Sequence, residues 1–339
     1  MKLYFSTLKP LITLVLLSTL FSCGNNPLDV DVSNVKVDLK VKRFDKDLFN
    51  YPQGITAESF SELNNKYGLF FQDFTQSVIS IGSPKNPKLF YQLNDFSKDF
   101  YINEIKEDAD KIYSDFSAYE NGLTNAFKHY KYYFPKKKIP EVITYISGFH
   151  YAITTDESYL GIGLDMFLGK DYPAYKQLGL PQYKTAFMSN EGLVAGAILC
   201  WISTEFELKE KNPNLLTEMI HQGKMLYLLD ALMPKASNTL KISYTNEQLK
   251  WCKNNEEPVW FHFIDNDLLY TKESSEIIKY MGESPFIQGF PDGSPGRVGH
   301  WLGWQIVKAY MKKNPSITIE KLMLTNNAQQ ILNASKYKP

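Results

Sequence analysis

The chain has 339 residues, in which 37 basic side chains balance 37 acidic ones and aromatic residues make up 14 %. This balance argues against nucleic acid as a partner, because a phosphate backbone requires a basic surface. The length is enough for one large domain with a well-buried core, and beyond the N-terminus no apolar stretch of the sequence is long enough to cross a bilayer.

The first 22 residues have the form of a lipoprotein signal peptide. Lys2 and Lys9 precede an uncharged apolar run at residues 11–20, which is too short to span a membrane but has the charged-then-apolar form of an export signal. The residues up to Cys23 follow a lipobox pattern, with an apolar residue three positions before the cysteine and a small one directly before it. We therefore expect cleavage before Cys23 and acylation of its thiol with palmitate-type chains. The alternative is an ordinary signal peptide with a stray cysteine.

This anchor predicts a location in the cell envelope. Two or more acyl chains attach a protein stably to a bilayer, and we expect residues 23–33 to form a lipidated cysteine and a polar tether. No aspartate follows Cys23 directly and no acidic run comes after it, which favours the periplasm-facing leaflet of the outer membrane over the inner membrane. Cleavage would remove two lysines and leave 35 basic and 37 acidic side chains in the mature chain.

The first predicted elements are a strand and two long helical segments. Apolar and polar side chains alternate over residues 35–41, which predicts a half-buried edge strand. Apolar residues recur at three- and four-residue steps over residues 56–79, which predicts a helix with one apolar stripe. A second helical pattern covers residues 87–133 and ends at Phe134 and Pro135.

The pattern changes to β-rich segments after residue 140. Three short runs at residues 142–146, 151–154 and 159–164 predict a small β-meander. Residues 171–187 are expected to be irregular. Further helices are predicted at residues 189–208 and 212–232, from a Thr245 capping box, from Glu257, and at residues 295–313 and 325–335. The expected fold class is therefore α+β and predominantly helical, with a single domain over residues 34–339.

The five histidines do not form a complete zinc motif. A catalytic zinc takes three protein ligands, and the common peptidase form supplies two of them from H-E-x-x-H on a helix. Glu218 and His221 keep the glutamate and the second histidine of this motif, but Thr217 stands where the first histidine belongs. The string around Glu205 keeps only the glutamate. A structural Glu–His pair is the simpler interpretation, and we predict no metal and no cofactor.

Other catalytic chemistries also lack their motifs. A di-iron site needs a second Glu-x-x-His, and the chain has no Gly-x-Ser-x-Gly and no nucleotide-binding glycine pattern. Gly296, Gly299 and Gly303 fall on one face of a predicted helix. Because glycine in a helix costs about 1 kcal/mol, we expect another helix to approach that face closely. Cys200 and Cys252 are expected to be buried thiols, with a disulfide as the alternative.

Eight stretches, taken in order along the chain, carry a further signal. They are residues 35–49 (VKVDLKVKRFDKDLF), 161–173 (GIGLDMFLGKDYP), 179–183 (GLPQY), 201–207 (WISTEFE), 222–234 (QGKMLYLLDALMP), 244–252 (YTNEQLKWC), 294–310 (SPGRVGHWLGWQIVKAY) and 331–339 (ILNASKYKP). Together they resemble the GldB family of gliding-motility lipoproteins over nearly the whole mature chain. The resemblance implies a role in surface gliding and in the associated secretion machinery, with other envelope proteins of that machinery as partners.

The same family is distantly similar to zinc peptidases that have an H-E-x-x-H helix and a downstream Glu-Gly helix. This likeness implies a degenerate zincin-like fold, in which Glu205 or Glu218 stands for the motif glutamate and Gln222-Gly223 for the Glu-Gly pair. Glutamine is a poor zinc ligand beside an anionic carboxylate, so the likeness implies a pseudopeptidase without catalytic residues. The candidate vestigial cleft consists of Glu205, Glu218, His221, Gln222, Arg297 and His300.

Three functions are compatible with these features. The leading hypothesis is a non-catalytic envelope lipoprotein that supports gliding and surface secretion by protein contacts. The alternative is a membrane-tethered zinc metallopeptidase with an unusual ligand set of Glu218, His221 and either His150 or His300. A third hypothesis is a carrier that binds a peptide or an acyl group between the predicted meander and the glycine-faced helix.

Overall fold

A computed structural model describes residues 26–339, so the predicted signal peptide and Cys23 lie outside the described residues. The N-terminal part is built from five helices. They are α1 (Phe44–Asp47), α2 (Ala57–Asp73), α3 (Leu89–Lys98), α4 (Phe100–Tyr113) and α5 (Ser117–Tyr133). A π-helical turn, Phe74–Val78, continues α2. The helix predicted at residues 56–79 is therefore confirmed, with Thr56 as its N-cap.

The long helical segment predicted at residues 87–133 is divided into α3, α4 and α5. The side chain of Asp99 accepts a hydrogen bond from the backbone N–H of Ile102 (3.0 Å) and caps α4. Asp115 accepts a hydrogen bond from the backbone N–H of Ser117 (2.9 Å) at the start of α5. Aspartate satisfies the N–H groups that a new helix leaves free, so these two residues favour breaks that apolar periodicity does not reveal.

Four strands form one mixed sheet. They are β1 (Lys42–Arg43), β2 (Glu141–Tyr145), β3 (Ile153–Thr155) and β4 (Tyr159–Gly163). Their order is β1-β2-β4-β3, with β2 parallel to β1 and β4 and with β3 antiparallel to β4. The three predicted β segments are confirmed in position. Their connection is not that of a meander, because β4 lies between β2 and β3.

Two glycines allow β4 to take this central position. A Cβ atom on Gly161 would lie 2.4 Å from Oγ1 of Thr154, and one on Gly163 would lie 2.3 Å from the backbone oxygen of Tyr151. The ring of Tyr145 packs against both positions. The neighbouring residues can approach β4 this closely only because the strand lacks side chains at these two places.

The edge strand predicted at residues 35–41 is wrong in position, because pairing with β2 begins only at Lys42 and Arg43, directly after that segment. The predicted alternation is present, since the apolar side chains of this segment are more buried than the charged ones between them. The backbone N–H of Val41, however, donates to Oε2 of Glu120 in α5 at 2.8 Å. A side chain of α5 therefore takes a hydrogen-bond donor that a longer strand would use.

The C-terminal part is helical throughout. Two short helices, α6 (Pro173–Gln177) and α7 (Gln182–Thr185), occupy the segment predicted to be irregular. The helices that follow are α8 (Leu193–Glu205), α9 (Leu215–Leu232), α10 (Asn238–Ile242), α11 (Asn246–Asn254), α12 (Glu256–Asp265), α13 (Ser274–Met281), α14 (Val298–Lys313), α15 (Ile319–Leu324) and α16 (Ala328–Ser335). Short 3₁₀ turns lie at Leu164–Phe167, Asn190–Gly192 and Leu268–Tyr270.

Several predicted helix starts are wrong by a few residues, including those of α8, which begins at Leu193 rather than residue 189, and α16, which begins at Ala328 rather than residue 325. The N-cap of α9 is Asn214 rather than Asn212. Helix α14 does not begin at Pro295, because Arg297 adopts a left-handed conformation (φ 58°) and delays the first helical turn. The capping box predicted at Thr245 is confirmed, since both of its reciprocal hydrogen bonds are formed.

Three apolar clusters make up the core, and together they form a single domain. The first joins α4, α5 and α8 to one side of the sheet, the second joins α11–α16, and the third packs α1–α3 against Tyr145 and its neighbours. Helix α9 contributes Leu228 to the first cluster and Leu216 to the second. No helix among residues 26–339 is both long and apolar enough to cross a membrane.

The closest helix packing is the crossing of α9 and α14. A Cβ atom on Gly303 would lie 1.8 Å from the backbone oxygen of Met219, and one on Gly223 would lie 2.2 Å from the backbone oxygen of Gly303. The expectation that another helix approaches the glycine face of α14 is therefore confirmed. Cys200 and Cys252 are free thiols, part-buried and buried respectively, so the disulfide alternative was wrong.

Candidate functional site

A cavity of about 530 Å³ lies between the end of α8 and the first half of α9. We call it the lysine cavity, because Lys137 and Lys224 line it together with Glu205 and His221. The turn after α5 supplies Lys137, α8 ends with Glu205, and α9 supplies His221 and Lys224. The loop between α15 and α16 covers another part of the wall.

Lys224 differs from the other lysines of this cavity because its side chain is buried. It is only 6 % exposed, and its Nζ donates to the backbone oxygens of Thr325 (2.9 Å) and Met323 (3.3 Å). Burial disfavours the charged form and lowers the pKa of Lys224 to about 8. The ammonium group therefore stays mainly charged at neutral pH, and it is held by carbonyl dipoles rather than by a carboxylate.

His221 lies one turn before Lys224 on the same helix. Burial, and then the neighbouring charge of Lys224, lower the pKa of His221 to about 4. Its imidazole is therefore neutral at physiological pH and is a potential acceptor as well as a donor.

Of the three carboxylates that line the lysine cavity, Glu205 is already paired, whereas Glu207 and Glu210 are solvent-exposed in the loop after α8. Glu205 forms an ion pair with Lys137, whose ammonium group also lies 5.0 Å from the ring centroid of Phe206. An Nζ donor on a carboxylate reduces the negative charge available to any other cation. Of the predicted cleft residues, Glu205 and His221 are thus brought together, but each has an ammonium group beside it.

The other predicted cleft residues lie elsewhere. Glu218 and Gln222 are part-buried on α9 and do not line the lysine cavity, and burial raises the pKa of the Glu218 carboxyl. Arg297 lies at the start of α14 and His300 in its first turn. Burial and the charge of Arg297 lower the pKa of His300 to about 3, so this imidazole is neutral.

Arg297 lines a second cavity of about 310 Å³, which we call the arginine cavity. This cavity lies between Ala152, just before β3, and the segment that leads into α14. Nη2 of Arg297 donates to the backbone oxygen of Ser243 (3.0 Å), and its guanidinium carbon lies 5.5 Å from the ring centroid of Tyr244. The arginine is therefore held in place beside an open space.

These residues do not fit a zinc ion. Within residues 26–339, no group of three or more His, Cys, Asp and Glu side chains is placed to hold a metal ion. The unusual set of Glu218 and His221 with His150 or His300 is therefore not assembled. In the lysine cavity, which Lys209 also lines, the ammonium groups of Lys137 and Lys224 beside Glu205 and His221 would also repel a divalent cation, whose site requires deprotonated ligands instead.

Sequence reasoning missed Lys224 and a second buried charge on the same helix. Asp230 accepts hydrogen bonds from Nζ of Lys241 (2.9 Å) and from Nε1 of Trp304 (2.8 Å), and Nζ of Lys308 lies 3.6 Å away. Nζ of Lys308 also lies 3.4 Å from the centroid of the Trp304 ring. A signal was present in the sequence: α9 is apolar all round, so a charged residue within it has to be buried with partners.

The family model of the gliding motility protein GldB matches residues 25–339, nearly the whole chain. The chain therefore belongs to the GldB family of gliding-motility lipoproteins, as the sequence resemblance had indicated. No curated protein and no solved structure matches it. Family membership places the protein in the cell envelope and in gliding motility.

Proposed function

We propose that this protein is a lipid-anchored, periplasm-facing lipoprotein that supports gliding and the associated surface-secretion machinery through protein contacts, without catalysis. The family match supports the motility role. The signal and lipobox pattern ending at Cys23 supports the anchor. The outer membrane is the proposed location, because no aspartate follows the cysteine.

The ammonium groups of the lysine cavity are the observation that supports a function without catalysis. A hydrolytic zinc site needs an open coordination position and a carboxylate free to act as a base. Here Glu205 is engaged by Lys137, Glu207 and Glu210 are exposed to solvent in the loop after α8, and Lys224 keeps a positive charge beside His221. A pocket built in this way suits an anionic or hydrogen-bonding group of a protein partner better than a metal.

The first test is the metal content of the domain covering residues 24–339, purified without chelator or tag histidines. We expect well under one metal ion per chain and no cleavage of peptide substrates. One zinc per chain, lost when His221 is replaced by Gln, would instead establish a metallopeptidase.

A motility assay separates the two functions further. The H221Q and E218Q variants, expressed in a gliding bacterium that lacks its own copy, should restore gliding, since neither change removes a cationic group. Removal of the lipobox cysteine (C23A) should abolish gliding, and this variant shows that the assay detects a loss of function. Failure of H221Q and E218Q, at normal protein levels and with an intact fold, would contradict the contact mechanism.

A carrier function is the second candidate, and the arginine cavity favours it. The guanidinium of Arg297 is positioned beside open space, and such a group binds the carboxylate of a peptide or an acyl chain. Native mass spectrometry of the purified domain would detect a bound small molecule. An R297Q variant that loses this molecule while keeping its fold would support the carrier, and an empty protein would reject it.

A further inference from the structure

The chain leaves the domain on one defined face. Nδ2 of Asn26 donates to the backbone oxygen of Pro234 (3.3 Å), and the hydroxyl of Tyr133 donates to the backbone oxygen of Leu28 (3.5 Å). These contacts fix the first described residues between the C-terminal ends of α5 and α9. Only Gly24 and Asn25 lie between Cys23 and Asn26, and these three residue steps span at most about 11 Å when extended.

Lys128 and Lys235 line a cavity together with residues 29–33, and further lysines lie in the turn that follows α5. Residues 121–140 contain five lysines and no acidic residue, and Lys235 follows Pro234 directly. We call these six lysines the basic surface. They are Lys128, Lys131, Lys136, Lys137, Lys138 and Lys235.

Lys136 and Lys138 are the exposed lysines of the basic surface that form no ion pair among the described residues. Nζ of Lys131 donates to the backbone oxygens of Pro135 (2.7 Å) and Lys137 (2.6 Å), which holds the turn that presents them. The ordered turn keeps both ammonium groups in solvent beside the exit point.

Acidic residues also border this surface, but they are fewer. Asp29 lies 3.8 Å from Nζ of Lys235, and Glu205 is paired with Lys137. Asp31 lines the same cavity as Lys128. Glu207, Lys209 and Glu210 line the same cavity as Lys137. Counted with them, seven lysines face five carboxylates, although the mature chain as a whole is slightly acidic.

Tyr132 adds an aromatic side chain to the basic surface. It is 49 % exposed and packs edge-on against Tyr133, with 5.1 Å between ring centroids. Tyrosine is enriched at the level of lipid headgroups, because its ring is apolar and its hydroxyl stays wet. An exposed tyrosine between lysines matches the chemistry of a membrane surface.

We propose that the basic surface lies against an anionic phospholipid leaflet and fixes the orientation of the domain on its membrane. This inference rests on the proposed acylation of Cys23, which would hold the basic surface within reach of the headgroups. A lysine close to an anionic membrane strengthens binding by about fivefold, and salt weakens this contribution. The anchor supplies attachment, and the lysines supply orientation.

The test uses the mature acylated chain in vesicles of phosphatidylcholine, with or without phosphatidylglycerol. Surface lysines are acetylated briefly and the modified residues are quantified by mass spectrometry. Lys136 and Lys138 should be labelled severalfold more slowly on vesicles with phosphatidylglycerol than on phosphatidylcholine alone, and high salt should remove the difference. Lys85 and Lys88 are exposed in the loop before α3 and serve as the internal control with unchanged labelling.

Two variants sharpen the test. K136E/K138E should abolish the protection of the remaining lysines of the basic surface, whereas K85E/K88E, with the same change of charge, should leave it intact. Equal labelling of both lysine pairs on both vesicle types would overturn the inference, as would equal protection with and without phosphatidylglycerol. A chain recovered without acyl groups would overturn the anchor together with this inference, whereas an acylated chain with unprotected lysines would overturn this inference alone.

Discussion

The tightest packing in the molecule allows a sharp prediction at Gly303. A methyl group added there would lie 1.8 Å from the backbone oxygen of Met219 and 2.5 Å from its carbonyl carbon. Non-bonded heavy atoms prefer a separation of about 3.5 Å, so α9 and α14 would have to move apart by roughly 1.5 Å or more. Both obstructing atoms belong to a helix backbone and cannot turn aside as a side chain can.

The magnitude follows from two opposing effects of the Gly303→Ala change. Alanine favours a helix over glycine by about 1 kcal/mol, while overpacking a rigid core costs about 1–3 kcal/mol and occasionally more. Since the contact lies at a helix crossing and opposes the backbone, we expect the upper end of that cost. The free energy of unfolding should therefore fall by about 2 kcal/mol or more.

The same substitution at Gly196 provides a matched control. This glycine also lies inside a helix, α8, but a Cβ atom there meets no neighbour within 4 Å. Gly196→Ala should raise the free energy of unfolding by up to about 1 kcal/mol. Urea unfolding of the domain, followed by tryptophan fluorescence, measures both changes. Equal shifts of the two midpoints, or a stabilised Gly303→Ala variant, would refute the packing argument.

Three further predictions concern buried polar groups. Burial lowers the pKa of His221 to about 4, so below about pH 6.5 the unfolded chain binds more protons than the folded one. The free energy of unfolding should therefore fall as the pH is lowered from about 6.5 to 4. Urea titrations of the H221Q variant should show a weaker dependence on pH. Asp230→Ala should cost about 3 kcal/mol in the same assay, because it leaves buried ammonium and indole donors without their acceptor, and a loss below about 1 kcal/mol would contradict this. Burial raises the pKa of Cys252 to about 12 and also raises that of Cys200, so a thiol reagent should modify neither quickly in the native protein and both after unfolding; a third reactive thiol would mean that Cys23 is not acylated.

Local signals predicted most of the helices because their causes are local. The capping box at Thr245 requires only residues three positions apart, and it forms as predicted. The start of α14 is different, since Arg297 adopts a left-handed conformation and donates to Ser243, which is far away in the sequence. A contact of this kind leaves no periodic pattern, so the apolar pattern from Pro295 onward could not reveal it.

The order of the strands in the sheet could not be predicted from the sequence for a similar reason. Each β segment has the composition of a strand, but the position of β4 between β2 and β3 depends on Gly161 and Gly163, which admit Thr154 and the Tyr145 ring. The two glycines were visible in the sequence. The side chains that fill the space beside them were not.

The candidate site was predicted only in part because side chains on one helix do not share a direction. The resemblance to peptidases indicated Glu205 and His221, and these do line one cavity. The same reasoning included Arg297, which lines a different cavity at the start of α14. It also missed Lys224, since a lysine in a helical pattern is usually taken as solvent-exposed, whereas this one is buried against backbone carbonyls.

Gln222 and Gly223 are adjacent on α9 but are under different packing constraints. The resemblance compares this pair with the Glu-Gly of a zinc peptidase helix. Consecutive residues on a helix point about 100° apart, so the two positions serve different purposes. Gly223 is fixed by its contact with the backbone of Gly303, and any side chain there would separate α9 from α14. Gln222 is part-buried and carries no such packing constraint, so its charge can change while the helix crossing stays intact. The crossing of α9 and α14 therefore constrains residue 223 and leaves residue 222 free to vary.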